Sequence, residues 1–366
     1  MRRNVSAYVA ECAGTALMLF VGVSAVAFMW GPGSPVPVVP SPVLRRLLTG
    51  VMFAGGATAV VYSPLGQISG GHLNPAVTLA FWRMGKVPTR DAVVYILAQF
   101  AGAVLGAYAA GLAWGPLTAG VRYAATVPGD GYSAAGAFAA EILITFLLVF
   151  TIFVCVNKPR VAPRTGVIAG TLVAVLVMIE APVSGTSLNP ARTLGPAILA
   201  PTYTALWAYF AGPVIGALLA VAAYRGQWGS HTVCAKLYHT EHYACPFDTC
   251  TYRLAKAGET VMRAGEPGTE AYLVERGTLD VRLGDASPGT SLVARLGPGE
   301  WAGEISLILD EPRTATVIAA TDAQLRRITK HDLGHILTQD SDRTLELVRQ
   351  LARRVKAVNE RFVGRV

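Results

Sequence analysis

"SGGHLNPAVT" at residues 69–78 and "SGTSLNPART" at residues 184–193 are two versions of one phrase. In each, an Asn stands before a Pro. Asn is a strong helix cap, and Pro at the first helical position loses no hydrogen bond that the helix needs. Asn74 and Asn189 therefore each predict a helix start, with Pro75, Ala76 and Pro190, Ala191 as its opening residues. The apolar run that follows each is roughly ten residues, too short to cross a bilayer core of ~30 Å. Each reads as a half-helix.

Working outward, runs long enough to span a membrane lie near 6–30, 43–65, 91–113, 133–156, 164–182 and 203–224. A second echo joins them: "AQFAGAVLGA" (98–107) returns as "AYFAGPVIGA" (208–217), and Glu11 in the first span answers Glu141 in the fourth. Each half carries an odd number of spans, so the halves face opposite ways and a substrate path is expected between them. Two half-helices then meet head to head at mid-membrane. Their positive ends repel cations and interrupt a proton wire, while Asn74 and Asn189 offer donors to a neutral solute. A buried membrane carboxylate is costly unless paired, so Glu11 and Glu141 are expected to hold the irregular loops before each half-helix. Glu180 reads as another loop-bonded carboxylate, with a place at the pore mouth as the alternative.

The charge is split along the chain. Of 23 acids only five precede position 231 (Glu11, Asp91, Asp130, Glu141, Glu180), against 13 of the 31 Lys and Arg. The net charge of +8 thus belongs to the apolar part, where it reads as membrane topology rather than a nucleic-acid patch. Arg2, Arg3, Arg83, Lys86, Arg90, Lys158, Arg160, Arg164 and Arg225 fall on one side, and Arg45, Arg46 and Arg122 on the other. That bias predicts both termini inside. Residues 1–27 have the outline of a signal peptide, but Glu11 in the apolar run favours a retained span.

From these motifs residues 5–225 resemble the aquaporin and glycerol-facilitator family. The resemblance implies a homotetramer with one pore per subunit, multi-pass in a bacterial plasma membrane, and a second constriction beyond the Asn pair. By position that constriction takes Arg192, Thr186, Val177 and an aromatic on the second span. Counting from Asn74 gives Ala54 without a gap, or Phe53, the preferred choice, with one. Val177 stands where strict water channels usually have His, which implies a wider opening. Glycerol carriers usually have Asp after the arginine, whereas this chain has Thr193. Water plus small neutral solutes such as glycerol is the expected cargo.

Beyond Arg253 short β-type runs alternate with Gly-bearing turns, and 342–362 reads as an amphipathic helix with Leu345, Leu347, Val348, Leu351, Val355 and Val358 on its apolar side. "GEISLILDEPRTATV" (303–317) has the parts of a phosphate cradle: Gly303 for close approach, a short helical turn, and a forked Arg313. With "LGPGEWAGE" (296–304), residues 251–362 resemble the cyclic-nucleotide-binding domain of bacterial regulators, kinases and channels. That resemblance implies an α+β β-roll with C-terminal helices, facing the cytosol. Gly303 and Glu304 would hold the ribose beside Ile305 and Ser306, Arg313 the cyclic phosphate, Thr314 and Thr316 its flanks, and the last helix would be a lid. The ligand would be cGMP or cAMP, with Thr314 leaning to cGMP. No other cofactor is required.

The expected domains are thus 1–225, a membrane all-α six-span channel; 226–250, a linker; and 251–366, the nucleotide module. The linker carries Cys234, His239, His242, Cys245 and Cys250, whose spacing is not a standard zinc pattern. A metal site and a folded linker with reduced thiols are the two readings. The sequence holds no nucleophile–base constellation or P-loop, so no enzyme is expected, and no room for a helix-turn-helix after the lid. Loops 157–166 and 83–90 are the expected gate.

Overall fold

The computed structural model describes residues 4–35, 39–158, 161–228, 234–238, 245–247, 252–284, 291–339 and 341–363. Contacts divide the chain into two compact units, Met1–Thr249 and Cys250–Val366. The described residues of 234–247 belong to the first unit, where Cys234, Ala235, Lys236, Leu237 and Phe247 are buried.

Six helices in the first unit are long and apolar enough to cross a membrane: α1 (Val5–Trp30), α2 (Pro42–Tyr62), α5 (Thr89–Trp114), α7 (Ala134–Val156), α8 (Thr165–Ser184) and α10 (Leu206–Trp228). Between them lie the short α3 (Pro64–Ser69) and α6 (Pro116–Gly120), and the half-helices α4 (Pro75–Arg83) and α9 (Pro190–Leu199). The repeat seen in the sequence is the repeat of the fold. α1 packs on α5 as α7 packs on α10, and α2 meets α8 across the halves.

The echoed glycines explain these contacts. A side chain on Gly102 would come within 2.2 Å of the Cys12 carbonyl oxygen, and one on Gly106 within 2.1 Å of that of Ala16. In the other half, Gly216 would meet the Ile142 oxygen at 2.4 Å and Gly212 the Glu141 Cβ at 2.8 Å. In a bilayer, apolar side chains gain nothing by leaving lipid for protein. Small faces that let backbones close up then drive helix association. Large aliphatics point the other way: Leu97, Leu112, Leu143 and Ile179 are all more than half exposed.

The second unit is a β-roll of two antiparallel four-stranded sheets. β1 (Tyr252–Ala255), β8 (Ala323–Thr329), β3 (Glu270–Arg276) and β6 (Trp301–Ala302) form one, in that order. β2 (Thr260–Met262), β7 (Thr316–Ala319), β4 (Leu279–Arg282) and β5 (Leu292–Leu296) form the other. Val261, Leu279, Val317 and Leu325 fill the space between them. α11 (Glu304–Leu309) interrupts the strands, and α12 (Lys330–Gln339) and α13 (Ser341–Val363) follow. α13 docks through Leu347 and Leu351, packed with Trp301, Leu307 and Ile328. Leu345, Val348 and Val355 are exposed, so the expected apolar stripe of this helix is wider than its seat.

Replacing Gly106 by Leu should force α1 and α5 apart. Overpacking costs about 1–3 kcal/mol, and the thermal midpoint of the purified protein in detergent should fall. The same change at Gly55, where nothing lies within 4 Å, should leave it unmoved.

Candidate functional site

Asn74 caps α4 and Asn189 caps α9. The Oδ1 of Asn74 accepts from the Ala76 N–H at 2.8 Å, and that of Asn189 from Ala191 at 2.9 Å and Arg192 at 3.2 Å. Each amide then reaches across the repeat. Asn74 Nδ2 donates to the Leu188 carbonyl at 2.9 Å, and Asn189 Nδ2 to the Leu73 carbonyl at 2.9 Å. An Asn amide has two hydrogens. One on each is committed, and both residues line a chamber of about 110 Å³ that the second hydrogen can serve.

Leu73 and Leu188 sit at φ of 53° and 54°, a left-handed conformation that branched side chains rarely adopt. Their amides are held by the two buried carboxylates. Glu11 accepts from the Leu73 N–H at 2.8 Å, the His72 N–H at 2.9 Å, the Ser69 hydroxyl at 2.8 Å and Gln99 Nε2 at 2.8 Å. Glu141 accepts from the Leu188 N–H at 2.8 Å, the Ser187 N–H at 2.8 Å and the Ser184 hydroxyl at 2.7 Å. Tyr95 and Tyr209 donate to the carbonyls of Ser69 and Ser184. Glu180, on α8, accepts from the Ser184 N–H at 2.9 Å and the Thr186 hydroxyl at 2.6 Å, which ties it to the loop, and it lines neither cavity.

Toward one mouth the path widens into a cavity of about 400 Å³ lined by Phe53, Val177, Thr186 and Arg192 together. Arg192 donates to the Ala124 carbonyl at 2.6 Å and lies over the Phe53 ring at 5.2 Å. Ala54 lines only the inner chamber, whereas Phe53 lines both. Gly22 makes room for that ring: a Cβ there would sit 2.3 Å from it. Thr193 is spent in a hydroxyl chain, with Thr126 at 2.7 Å and Ser187 at 2.6 Å. Arg46, Thr49 and Trp30 also line the mouth and were not singled out in the sequence. All three sit where the ends of α1 and α2 meet, a juxtaposition that no local pattern encodes.

In the second unit a cavity of about 330 Å³ is lined by Gly303, Glu304, Ile305, Ser306, Arg313 and Thr314, with apolar walls from Val281, Leu296 and Val317. Gly303 has φ of 80°, and a Cβ there would lie 2.5 Å from Arg313 Nη1. Arg313 donates to the carbonyls of Gly303, at 3.0 Å, and Glu270. Burial pushes its guanidinium below its ordinary pKa, against the pull of nearby Glu270. Burial likewise raises the Glu304 carboxyl, opposed by Arg354. Glu304 is 1% exposed, with Oε1 paired to Arg354 and Oε2 buried without a partner among the described residues.

Thr316 corrects the expectation. Its hydroxyl accepts from the Ala264 N–H at 3.1 Å and donates to the Gly284 carbonyl at 2.6 Å. Strand alternation turns Ala315 and Val317 to the cavity and Thr316 away. α13 supplies residues the sequence did not reveal: Arg354 bonds the Trp301 carbonyl at 2.7 Å, and Gln350 bonds the Trp301 N–H and carbonyl at 2.9 and 3.0 Å. Of the Cys and His residues between the two modules, only Cys234 and Cys245 lie among the described residues. His239, His242 and Cys250 lie outside the described residues, and no three metal-ligating side chains gather among those described.

The family model described as Major intrinsic protein matches residues 2–224. The chain belongs to the major intrinsic protein family. A second family model, the cyclic nucleotide-binding domain, matches residues 252–340. Similar relatives of this major intrinsic protein include Aquaporin NIP1-3 of Oryza sativa subsp. japonica, 37% identical over 59% of this chain and 71% of that one. Aquaporin AqpM of Methanothermobacter marburgensis is 37% identical over 59% of this chain and 95% of its own. The aquaglyceroporin structure from Plasmodium falciparum is 20% identical, with a TM-score of 0.52, over 60% of this chain and 95% of that one. That likeness supports the fold alone. The chain thus joins a multi-pass major intrinsic protein channel to a cyclic nucleotide-binding domain.

Glu141→Gln would present an amide N–H₂ or a neutral oxygen to donors that now meet a carboxylate. A hydrogen bond to a charged group is worth about 1.5–3 kcal/mol. Water permeability per folded protein should fall sharply, and Glu11→Gln should do the same by symmetry. Stopped-flow light scattering on proteoliposomes, normalised to reconstituted protein, measures both.

Proposed function

We propose that this protein is a cyclic-nucleotide-gated channel for water and small neutral solutes such as glycerol. The observation that carries the reading is a pair of complete sites on one chain. Asn74 and Asn189 face a common chamber with one amide hydrogen each to spare. Glu304 offers an unpartnered buried oxygen beside Arg313 in a cavity of nucleoside size.

Conduction needs donors that orient a neutral solute without binding it tightly. The two Asn amides supply them, and the half-helix starts at Pro75 and Pro190 add positive potential that excludes cations. Phe53, Val177, Thr186 and Arg192 act as the filter. Val177 brings neither a donor nor ring bulk, which supports passage of solutes larger than water. In the second unit Arg313 turns from the carbonyls of Gly303 and Glu270 to the cyclic phosphate, a charged acceptor that holds a guanidinium more strongly. Glu304 Oε2 takes a ribose hydroxyl, and Ile305 and Ser306 close that side. Thr314, exposed at the cavity rim beside Arg313, favours a guanine base and hence cGMP over cAMP. Both termini face the cytosol in this reading, and four chains assemble with one pore each in a bacterial plasma membrane. Regulation requires that nucleotide bind one pore state better than the other.

Proteoliposomes should swell in water and glycerol gradients, and the rate should change with saturating cGMP or cAMP. Arg313→Ala removes two hydrogen bonds to the phosphate and should weaken nucleotide binding by about 100-fold or more. It should abolish the nucleotide effect and keep nucleotide-free flux. A flux indifferent to both nucleotides, in protein that calorimetry shows to bind them, would disprove gating.

A further inference from the structure

The mouth opposite Arg192 is occupied by the chain itself. After α10, Cys234, Ala235, Lys236 and Leu237 are all buried within the first unit. Ala235 offers its carbonyl to His72 Nε2 at 2.8 Å, and the Leu237 N–H donates to the Gly70 carbonyl at 3.0 Å. A carbonyl only accepts, so Nε2 carries the proton. Nδ1 lies 3.1 Å from the Thr78 hydroxyl, whose oxygen takes a bond from Gln99, itself bonded to Glu11. The segment is thus wired into the network that shapes the pore loop.

Its side chains are placed as a stopper. Leu237 lines the chamber that also holds Asn74 and Asn189, and is its one contributor from beyond the last span among the described residues. Tyr238 meets the Tyr62 ring edge-on at 4.6 Å. Phe247, 2% exposed, packs on Tyr95 at 5.4 Å and His72 at 6.1 Å. Gly70 gives the segment its seat: a Cβ there would come within 2.9 Å of the Ala235 oxygen. Residues 248–251 are all that separates Phe247 from β1, the first strand of the nucleotide module. In this same conformation the nucleotide pocket is engaged with itself, Glu304 with Arg354 and Arg313 with two carbonyls.

We propose that residues 234–238, pinned by Phe247, are a plug that shuts the pore at the mouth opposite Arg192, and that nucleotide opens the channel by withdrawing it. The second clause rests on the regulatory function proposed above; the first stands on the packing alone. A ribose hydroxyl on Glu304 Oε2 draws on the same carboxylate that Arg354 holds through Oε1, which weakens that ion pair and the seat of the last helix, and the chain then pulls on the plug from its C-terminal side. The segment, rather than the loops at 157–166 and 83–90, is the gate.

The test uses the full chain in proteoliposomes. Leu237→Ala with Phe247→Ala should raise nucleotide-free water flux by about tenfold, the factor that ~1.4 kcal/mol provides. Unchanged flux from this folded variant would overturn the plug. Tyr62→Cys with Tyr238→Cys, in a background with the native cysteines replaced by Ser, should be held at low flux by dibromobimane even with saturating nucleotide. The mono-reactive analogue should leave the response intact. A cross-linked channel that still opens would also overturn the plug. Nucleotide that binds wild-type protein and lowers its flux would overturn the proposed direction. Nucleotide that binds without any effect would sink the regulatory function, while the nucleotide-free variant still judges the plug by itself.

Discussion

Two carboxylates that water does not reach hold the channel unit in shape. In the apolar layer a loop has no solvent to satisfy its backbone, and a lone charge is costly. Glu11 and Glu141 resolve both problems at once by accepting the amides of His72, Leu73, Ser187 and Leu188. These bonds stabilise the left-handed leucines, whose carbonyls are thereby turned to the opposite Asn amides. The position of each Asn therefore depends on the carboxylate of its own half and on the loop of the other. The two halves cannot be shaped independently.

The helices around that centre invert the usual arrangement of a soluble protein. Glycines at 102, 106, 212 and 216 and alanines fill the contacts, while leucines and isoleucines face outward. Close backbone approach keeps the carboxylates beside their loops. Gly212 is packed against the Cβ of Glu141, so the packing motif and the clamp meet at one residue.

The nucleotide module follows soluble rules and joins two opposed requirements. Its arginine and glutamate must be ready for a ligand, yet both are buried. Internal partners keep them satisfied: the carbonyls of Gly303 and Glu270 for Arg313, and Arg354 for one oxygen of Glu304. Any ligand for this pocket competes with those partners, and the competition reaches the last helix because Arg354 and Gln350 also hold Trp301.

The resemblance to a known domain implied the β-roll and the role of Glu304; the sequence by itself determined the six spans, the two half-helices, the inverted repeat and the place of Asn74, Asn189, Gly303 and Arg313. These follow from local chemistry: caps before prolines, apolar runs of membrane length, and a glycine and arginine at cradle spacing. Glu11 and Glu141 were legible because a carboxylate inside an apolar run needs donors, and only the loops could supply them. Tertiary structure decided the rest. The stacking of Phe53 under Arg192 depends on the rotation of α2 against α1, which a count back from Asn74, with or without a gap, leaves open. Thr316 went to the backbone because its strand faces it away from the cavity. Arg354 and the segment 234–238 carry no motif, since their partners lie at Glu304 and at Gly70 and His72. A contact between distant stretches of chain is set by the fold as a whole, so those positions became legible only once the chain had folded.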